Sequence, residues 1–203
     1  MKHISVDIET LGIEPESASI IEFGAVIDDL AVQAPLDTLP RFHAYITPPD
    51  CGYYSGDPYA MSMHPTILRR IANRESGYNY YDPCVIGAAF LDFVKKFYFD
   101  DKDGIHNIFN LPLKVNVSGK NFAMFDFKFI KYHTNIFDFV YPNHRILDPC
   151  ALFINETDTI LPSTAECYKR AGLESSVAHT SIDDALGVIQ LLRNRLGHLF
   201  KKS

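Results

Sequence analysis

Ile4-Ser5-Val6-Asp7-Ile8, then the turn-rich Leu11-Gly12-Ile13-Glu14-Pro15, then Ile20-Ile21-Glu22-Phe23-Gly24-Ala25-Val26-Ile27: this opening decides the fold. Short apolar runs rich in β-branched residues and separated by Gly and Pro read as two adjacent strands, joined as a hairpin. Arg41-Phe42-His43-Ala44-Tyr45-Ile46 alternates apolar and polar and is stopped by Pro48-Pro49, which predicts a third strand. The chain therefore begins as an antiparallel meander.

Working outward, the period changes from two to that of a helix. The stretch from Asp50 to Asp57 reads as a loop, and Pro65 opens a helix running to about Asn73. Asp82-Pro83 is a stronger start, an N-cap followed by a proline at the first helical position. From Cys84 to about Phe99 the residues Ile86, Ala89, Phe90, Phe93, Val94 and Phe97 then share one face. Leu113 to Val117 reads as a strand, about Phe125 to His133 as a helix, and His144 to Leu147 as a further strand. Asp148-Pro149 reads as another capped start, and Ser181 to about Leu199 as a long terminal helix. Three strands followed by alternating helices and strands describe an α/β layer fold with a mixed sheet, its crossover strands parallel to the first.

The 203 residues, 47% hydrophobic, suffice for one domain with a substantial core, so residues 1–203 are expected to form a single unit. No apolar run approaches the roughly 20 residues of a spanning helix, and Met1-Lys2-His3-Ile4 enters a strand without an apolar leader. The expectation is a soluble cytoplasmic protein that does not engage a membrane. Cys51, Cys84, Cys150 and Cys167 form no C-x-x-C pair and are expected to be reduced, mostly buried thiols. The net charge of −6 is unevenly spread, with −8 in residues 1–60 and +2 in the remainder. Acid thus accumulates in the segment containing the first strands. A site for divalent cations gathers carboxylates in this way, and the cations then present positive charge to a phosphate.

Asp7 and Glu9 are two apart on a strand, so both side chains leave the same face. A bare D-x-E also occurs at exposed strand ends, but Val6 and Ile8 imply a buried strand, where paired carboxylates are costly unless a cation lies between them. Asp126 follows Val115-Asn116-Val117-Ser118-Gly119-Lys120-Asn121-Phe122 and starts a helix, where an acid is also favoured by the helix dipole alone. His179-Thr180-Ser181-Ile182-Asp183-Asp184 enters the terminal helix. There Ser181 and Asp184 have the spacing of a capping arrangement, and spacing alone does not choose between Asp183 and Asp184 as a ligand. His3, His43, His106, His133, His144 and His198 have no acidic neighbour at a telling spacing and read as structural or surface groups. Lys114, Lys120, Lys128, Lys131 and Arg145 form either a modest basic rim for phosphates or a solvated face.

Together, V-D-I-E-T-L-G with S-I-I-E-F-G-A-V-I, then S-G-K-N-F-A-M-F-D-F-K-F-I, then H-T-S-I-D-D-A resemble in order the three motifs of the DEDDh 3′→5′ exonuclease superfamily. That superfamily includes proofreading exonucleases, ribonuclease T and oligoribonuclease. The resemblance spans residue 4 to about residue 192. It implies a ribonuclease-H-like α/β fold, a mixed five-stranded sheet flanked by helices. In the third motif His precedes the last Asp by five positions, which selects Asp184 over Asp183. The second motif departs from many members in placing Asn121 five rather than four residues before Asp126.

Residue by residue, the resemblance implies two divalent cations, Mg²⁺ or Mn²⁺. Asp7 bridges them, Glu9 and Asp184 complete the shell of one, Asp126 serves the other directly or through water, and His179 acts as general base on the attacking water. It also places the Thr10 backbone at a terminal 3′ hydroxyl and Leu11 as a wedge against the last base. More weakly, Met61 and His64 of Tyr59-Ala60-Met61-Ser62-Met63-His64 line the terminal nucleotide, although Met beside Ala is commonly simple packing.

The implied reaction is hydrolysis at the 3′ end of single-stranded DNA or RNA with release of nucleoside 5′-monophosphates. The acidic balance favours short or single-stranded ends over a long duplex held by charge. Three alternatives stay open: an exoribonuclease for short RNA, a non-catalytic nucleic-acid-binding module of the same fold, and a domain whose carboxylates only bind cations. No motif discriminates the sugar, which is chosen by contacts to the 2′ hydroxyl.

Overall fold

A computed structural model describes residues 1–48, 52–101, 110–174 and 180–200. In chain order the elements are β1 (Lys2–Thr10), β2 (Ile20–Asp29), β3 (Arg41–Ile46), α1 (Pro58–Met63), α2 (Pro65–Asn73), β4 (Tyr80–Tyr81) and α3 (Ile86–Phe97). They continue with β5 (Leu113–Val115), β6 (Val117–Ser118), α4 (Asp126–His133), α5 (Ile136–Phe139), β7 (Val140–Pro142), α6 (Thr164–Ala171) and α7 (Ser181–Leu196). The main sheet is five-stranded in the order β4-β3-β2-β1-β6. β1, β2 and β3 form the expected antiparallel meander, while β6 runs parallel to β1 and β4 parallel to β3. The α/β mixed sheet with flanking helices is therefore as the sequence predicts.

The strand faces differ because side chains alternate across a strand. Ile4, Val6 and Ile8 of β1, with Phe23, Ala25 and Ile27 of β2 and Ala44 and Ile46 of β3, form a continuous apolar face packed on Ile86, Phe90, Val94, Phe129 and Ile130. Each such Ile or Phe taken out of water contributes about 1.5–3 kcal/mol, which makes this face the main core. The opposite face carries His3, Ser5, Asp7 and Glu9 opposite Asp28, Val26, Gly24 and Glu22. α7 lies over it, with Ala185 and Ile189 packing on Val26 and Leu39, and Val188 and Leu192 on Leu30.

Local rules explain most boundaries. Asp57, Asp82 and Asp148, each before a proline, accept backbone N–H groups from Tyr59, Cys84 and Cys150. After Asp82 the helix proper starts only at Ile86, and after Asp148 the turn stays three-ten from Pro149 to Phe153. Two strand expectations need correcting. The predicted strand 113–117 divides at Asn116: β5 pairs with β7, whereas β6 pairs with β1. Asn116 is the pivot, since its carbonyl accepts Ile4 N–H at 2.8 Å and its side-chain amide donates to the Lys2 carbonyl at 3.1 Å. In place of a strand at 144–147, only Leu147 bridges to Ser118, and the paired segment is the earlier Val140–Pro142.

Cys150 and Cys167 are buried as expected, whereas Cys84 is exposed. Cys51 and His106 lie outside the described residues. Among the described residues no helix is long and apolar enough to cross a membrane.

Candidate active site

The polar face of β1 ends in Asp7 and Glu9, directly opposite Gly24 and Glu22. Glycine opposite Asp7 is a packing requirement: a Cβ at Gly24 would lie 2.5 Å from Ser181 Oγ, so only a bare backbone lets the start of α7 descend onto the sheet. α7 is N-capped by Thr180, whose Oγ1 accepts Asp183 N–H at 3.2 Å while its hydroxyl donates to Asp183 at 2.6 Å. Asp183 is thus engaged in the cap. Asp184, the next residue, brings its carboxylate to β1, and oxygens of Asp7, Glu9 and Asp184 all lie within 4.8 Å of one another.

Asp126 is the first residue of α4 and is 4% exposed. It stands beside this trio closely enough that its charge raises the pKa of both Asp7 and Glu9. Both helix N-termini favour anions in their first turns.

The electrostatics are those of carboxylates lacking enough positive charge. Burial first, then the charges of Asp126, Asp184, Glu9 and Glu22, hold Asp7 well above the usual carboxylate range. Glu9 is pushed to about 8 by burial, then by Glu22, Asp184 and Asp126. Asp126 also rises to about 8 through burial, although the backbone amides of Asp126 and Ile8 and the charge of Lys120 pull it back. Like charges crowded in a low dielectric keep protons that isolated acids would release. An oxygen-rich set of this kind fits hard divalent cations such as Mg²⁺ or Mn²⁺, which would restore full ionisation.

The remaining predicted residues fall as follows. His64, buried at the junction of α1 and α2, places Nε2 3.6 Å from Glu9 Oε2 and so belongs beside the cluster. Thr10 is buried and its hydroxyl donates to the Gly12 carbonyl at 2.7 Å. Leu11 is fully buried among Ile21, Tyr45, Ile67 and Ile71, its carbonyl accepting Asp57 N–H at 2.7 Å. In this arrangement the Leu11 side chain is interior, and it is the backbone carbonyl that ties Leu11 to the start of the 57–64 segment. Met61 is half-buried against the same apolar cluster. His179 lies outside the described residues.

Glu22 is the residue that sequence reasoning passed over. It is 1% exposed, and it contacts both His43 and the start of α7. A lone acid inside the apolar run 20–27, on the parity that faces Asp7 and Glu9, was the available signal.

No family model matches the sequence, and no curated protein sequence matches it. Solved structures do. A product-bound exonuclease I superposes with a TM-score of 0.58 over 98% of this chain and 45% of its own, at 15% identity. E. coli exonuclease I in complex with a dT13 oligonucleotide gives 0.57 at 19% identity, over 98% of this chain and 42% of its own. The complex of the same enzyme with a dA16 oligonucleotide gives 0.56 at 19% identity, with the same coverage. This chain has the exonuclease I fold. The likeness runs the length of the chain, as the motif resemblance does, and it is a likeness of fold, with few identities. The chain spans less than half the length of the exonuclease I structures it matches.

Proposed function

We propose that residues 1–203 form one exonuclease domain that hydrolyses phosphodiester bonds at the 3′ end of single-stranded nucleic acid, releasing nucleoside 5′-monophosphates. The observation that carries this reading is the convergence of Asp7, Glu9 and Asp184 oxygens within 4.8 Å, beside buried Asp126, on the exonuclease I fold. Asp7, Glu9, Asp126 and Asp184 would hold two divalent cations. When bound, such cations supply charge stabilisation for the attacking and departing oxygens of an in-line displacement.

The chain's own groups do the rest. Asp7 and Glu9 present oxygens from a strand paired along its length with β2, and α7 delivers Asp184 from a capped first turn, so the donors are preorganised. The role proposed for His179 is that of general base, taking the proton of the attacking water. Thr10, Leu11, Met61 and His64 form the proposed floor and wall for the terminal nucleotide. Of these His64 brings its imidazole to 3.6 Å from the Glu9 carboxylate, and the Leu11 carbonyl holds the start of the segment that carries it.

The dT13 and dA16 complexes of exonuclease I favour single-stranded DNA as the first substrate to test. The test incubates matched 3′-labelled and 5′-labelled DNA and RNA strands with Mg²⁺, Mn²⁺ or EDTA. The reading requires mononucleotides released from the 3′ end and silence in EDTA. Binding without hydrolysis under every metal would replace it with the non-catalytic module.

A further inference from the structure

Glu22 sits directly opposite Glu9 in the β1–β2 pairing, yet it is tied elsewhere. Its Oε2 accepts the backbone N–H of Ser181, the first residue of α7, at 3.0 Å, and its Oε1 lies 2.6 Å from Nε2 of His43 on β3. A carboxylate this deeply buried is costly unless charge and lone pairs are both met. Here a helix N-terminus meets one oxygen and an imidazole the other. With both oxygens engaged, Glu22 is neighbour to the cluster rather than a further ligand in it.

What Glu22 grips gives it a role. Ser181 is one turn before Asp184 on α7, and the Ser181 hydroxyl oxygen is buried without a hydrogen-bond partner among the described residues. The polar tie seen among the described residues between this end of the helix and β2 runs through the Ser181 N–H and Glu22, in the space that Gly24 leaves open, and adds to the apolar packing of Ala185 on Val26. We infer that Glu22 is a positioning residue: it sets the height of α7's first turn above the sheet, so that the Asp184 carboxylate reaches Asp7 and Glu9, and His43 fixes the rotamer in which it does so. The inference rests on reading those three acids as cation ligands.

Length and charge are separable at this position. Glu22→Asp keeps the charge but is one methylene too short to span Ser181 and His43. Glu22→Gln loses the charge but keeps an oxygen for Ser181 N–H and a side-chain amide facing His43 Nε2. Mn²⁺ alone is titrated calorimetrically into wild type, both variants and Asp184→Asn, with melting curves showing that each is folded. Glu22→Asp should bind Mn²⁺ at least about tenfold more weakly, the usual cost of losing a group that orients a ligand, and Glu22→Gln should stay within about threefold of wild type.

Any result in which Glu22→Asp is not the more damaged of the two overturns the inference. If Glu22→Asp does not fold, His43→Ala carries the test, and wild-type Mn²⁺ affinity there overturns it instead. Wild type and Asp184→Asn failing alike to bind Mn²⁺ would overturn the functional reading itself, a distinguishable outcome.

Discussion

Two acidic sites lie on the same face of β1 and β2, near opposite ends of α7, the second joined by Asp126 from α4, and the protein treats them in opposite ways. At one end Asp28, 1% exposed, receives Arg193 through Nε at 3.2 Å and Nη2 at 2.5 Å, with His3 Nε2 at 3.4 Å. Burial pushes its pKa up, but the approach of His3 and the hydrogen bonds from Arg193 outweigh that and hold it below the usual range. At the other end buried Asp126 and half-buried Asp7 and Glu9 lie among like charges and are held above it. Desolvation raises the pKa at both ends, so it does not decide the outcome; the neighbouring charge does. One end carries its cation in the chain, and under the proposed function the other would take one from solution.

The comparison breaks most visibly at Asp7. Asp7→Asn should lower Mn²⁺-dependent turnover on the order of a thousandfold, the worth of several kcal/mol of charge stabilisation. It should leave the metal-free protein folded, because the substitution is isosteric and removes one of several crowded acids. Near-normal turnover in a single-strand digestion assay would show that this cluster is not the reacting centre.

At the other end the loss should appear in stability and spare the chemistry. Arg193→Met strands Asp28 as a buried uncompensated charge and should cost about 3–5 kcal/mol in urea unfolding, much of it recovered when Asp28→Asn is added. Equal stability of the single variant and wild type would mean that Asp28 is neutral in the fold.

Titration separates the two ends further. In the metal-free protein Glu9 and Asp126 keep their protons until about pH 8, whereas the unfolded chain releases them near pH 4 to 4.5. Between those values the unfolded state binds fewer protons, so these groups make stability fall as pH rises from about 5 to 8. Asp28 has the opposite sign. Its lowered pKa contributes stability that is present above about pH 4 and lost as pH falls through its folded value. Mn²⁺ at about a hundred times its dissociation constant should recover roughly 2.7 kcal/mol at pH 8, or about 5–10 °C in Tm. A metal-free Tm flat from pH 5 to 8 and indifferent to Mn²⁺ would contradict the assignment.

The smallest effect distinguishes the adjacent acids on α7. Asp183→Asn retains an oxygen for the Thr180 hydroxyl and should cost less than about 1 kcal/mol, with turnover within about threefold. Asp184→Asn should remove most activity. The reverse order, measured by turnover at saturating Mn²⁺, would mean that the cap and the ligand have been exchanged.

Much of this was legible in the sequence because its causes are local. Alternation over 41–46, the Asp-Pro starts and the helical face from Ile86 to Phe97 each depend on neighbours within a few positions. The same Asp-Pro signal at Asp57-Pro58 marks α1, inside a stretch dominated by loop residues, and Ser163 with Glu166 marks α6. Both were readable by the rules that found the others. The division of strand 113–117 was not, since Asn116 turns on hydrogen bonds to residues more than a hundred positions away.

By itself the sequence determined the meander, the terminal helix and the common face of Asp7 and Glu9, since alternation along one strand is a property of adjacent residues. The acid at the start of each of α4 and α7 was likewise readable. Only the tertiary structure decided which histidines meet acids: His3 and His43 have none nearby in the chain at a telling spacing, yet they face Asp28 and Glu22 across the sheet. It alone decided that Leu11 is interior and that Gly24 admits the start of α7. Pairings between strands and the approach of a helix to a sheet are set by the packing of distant segments, and no spacing along the chain records that distance.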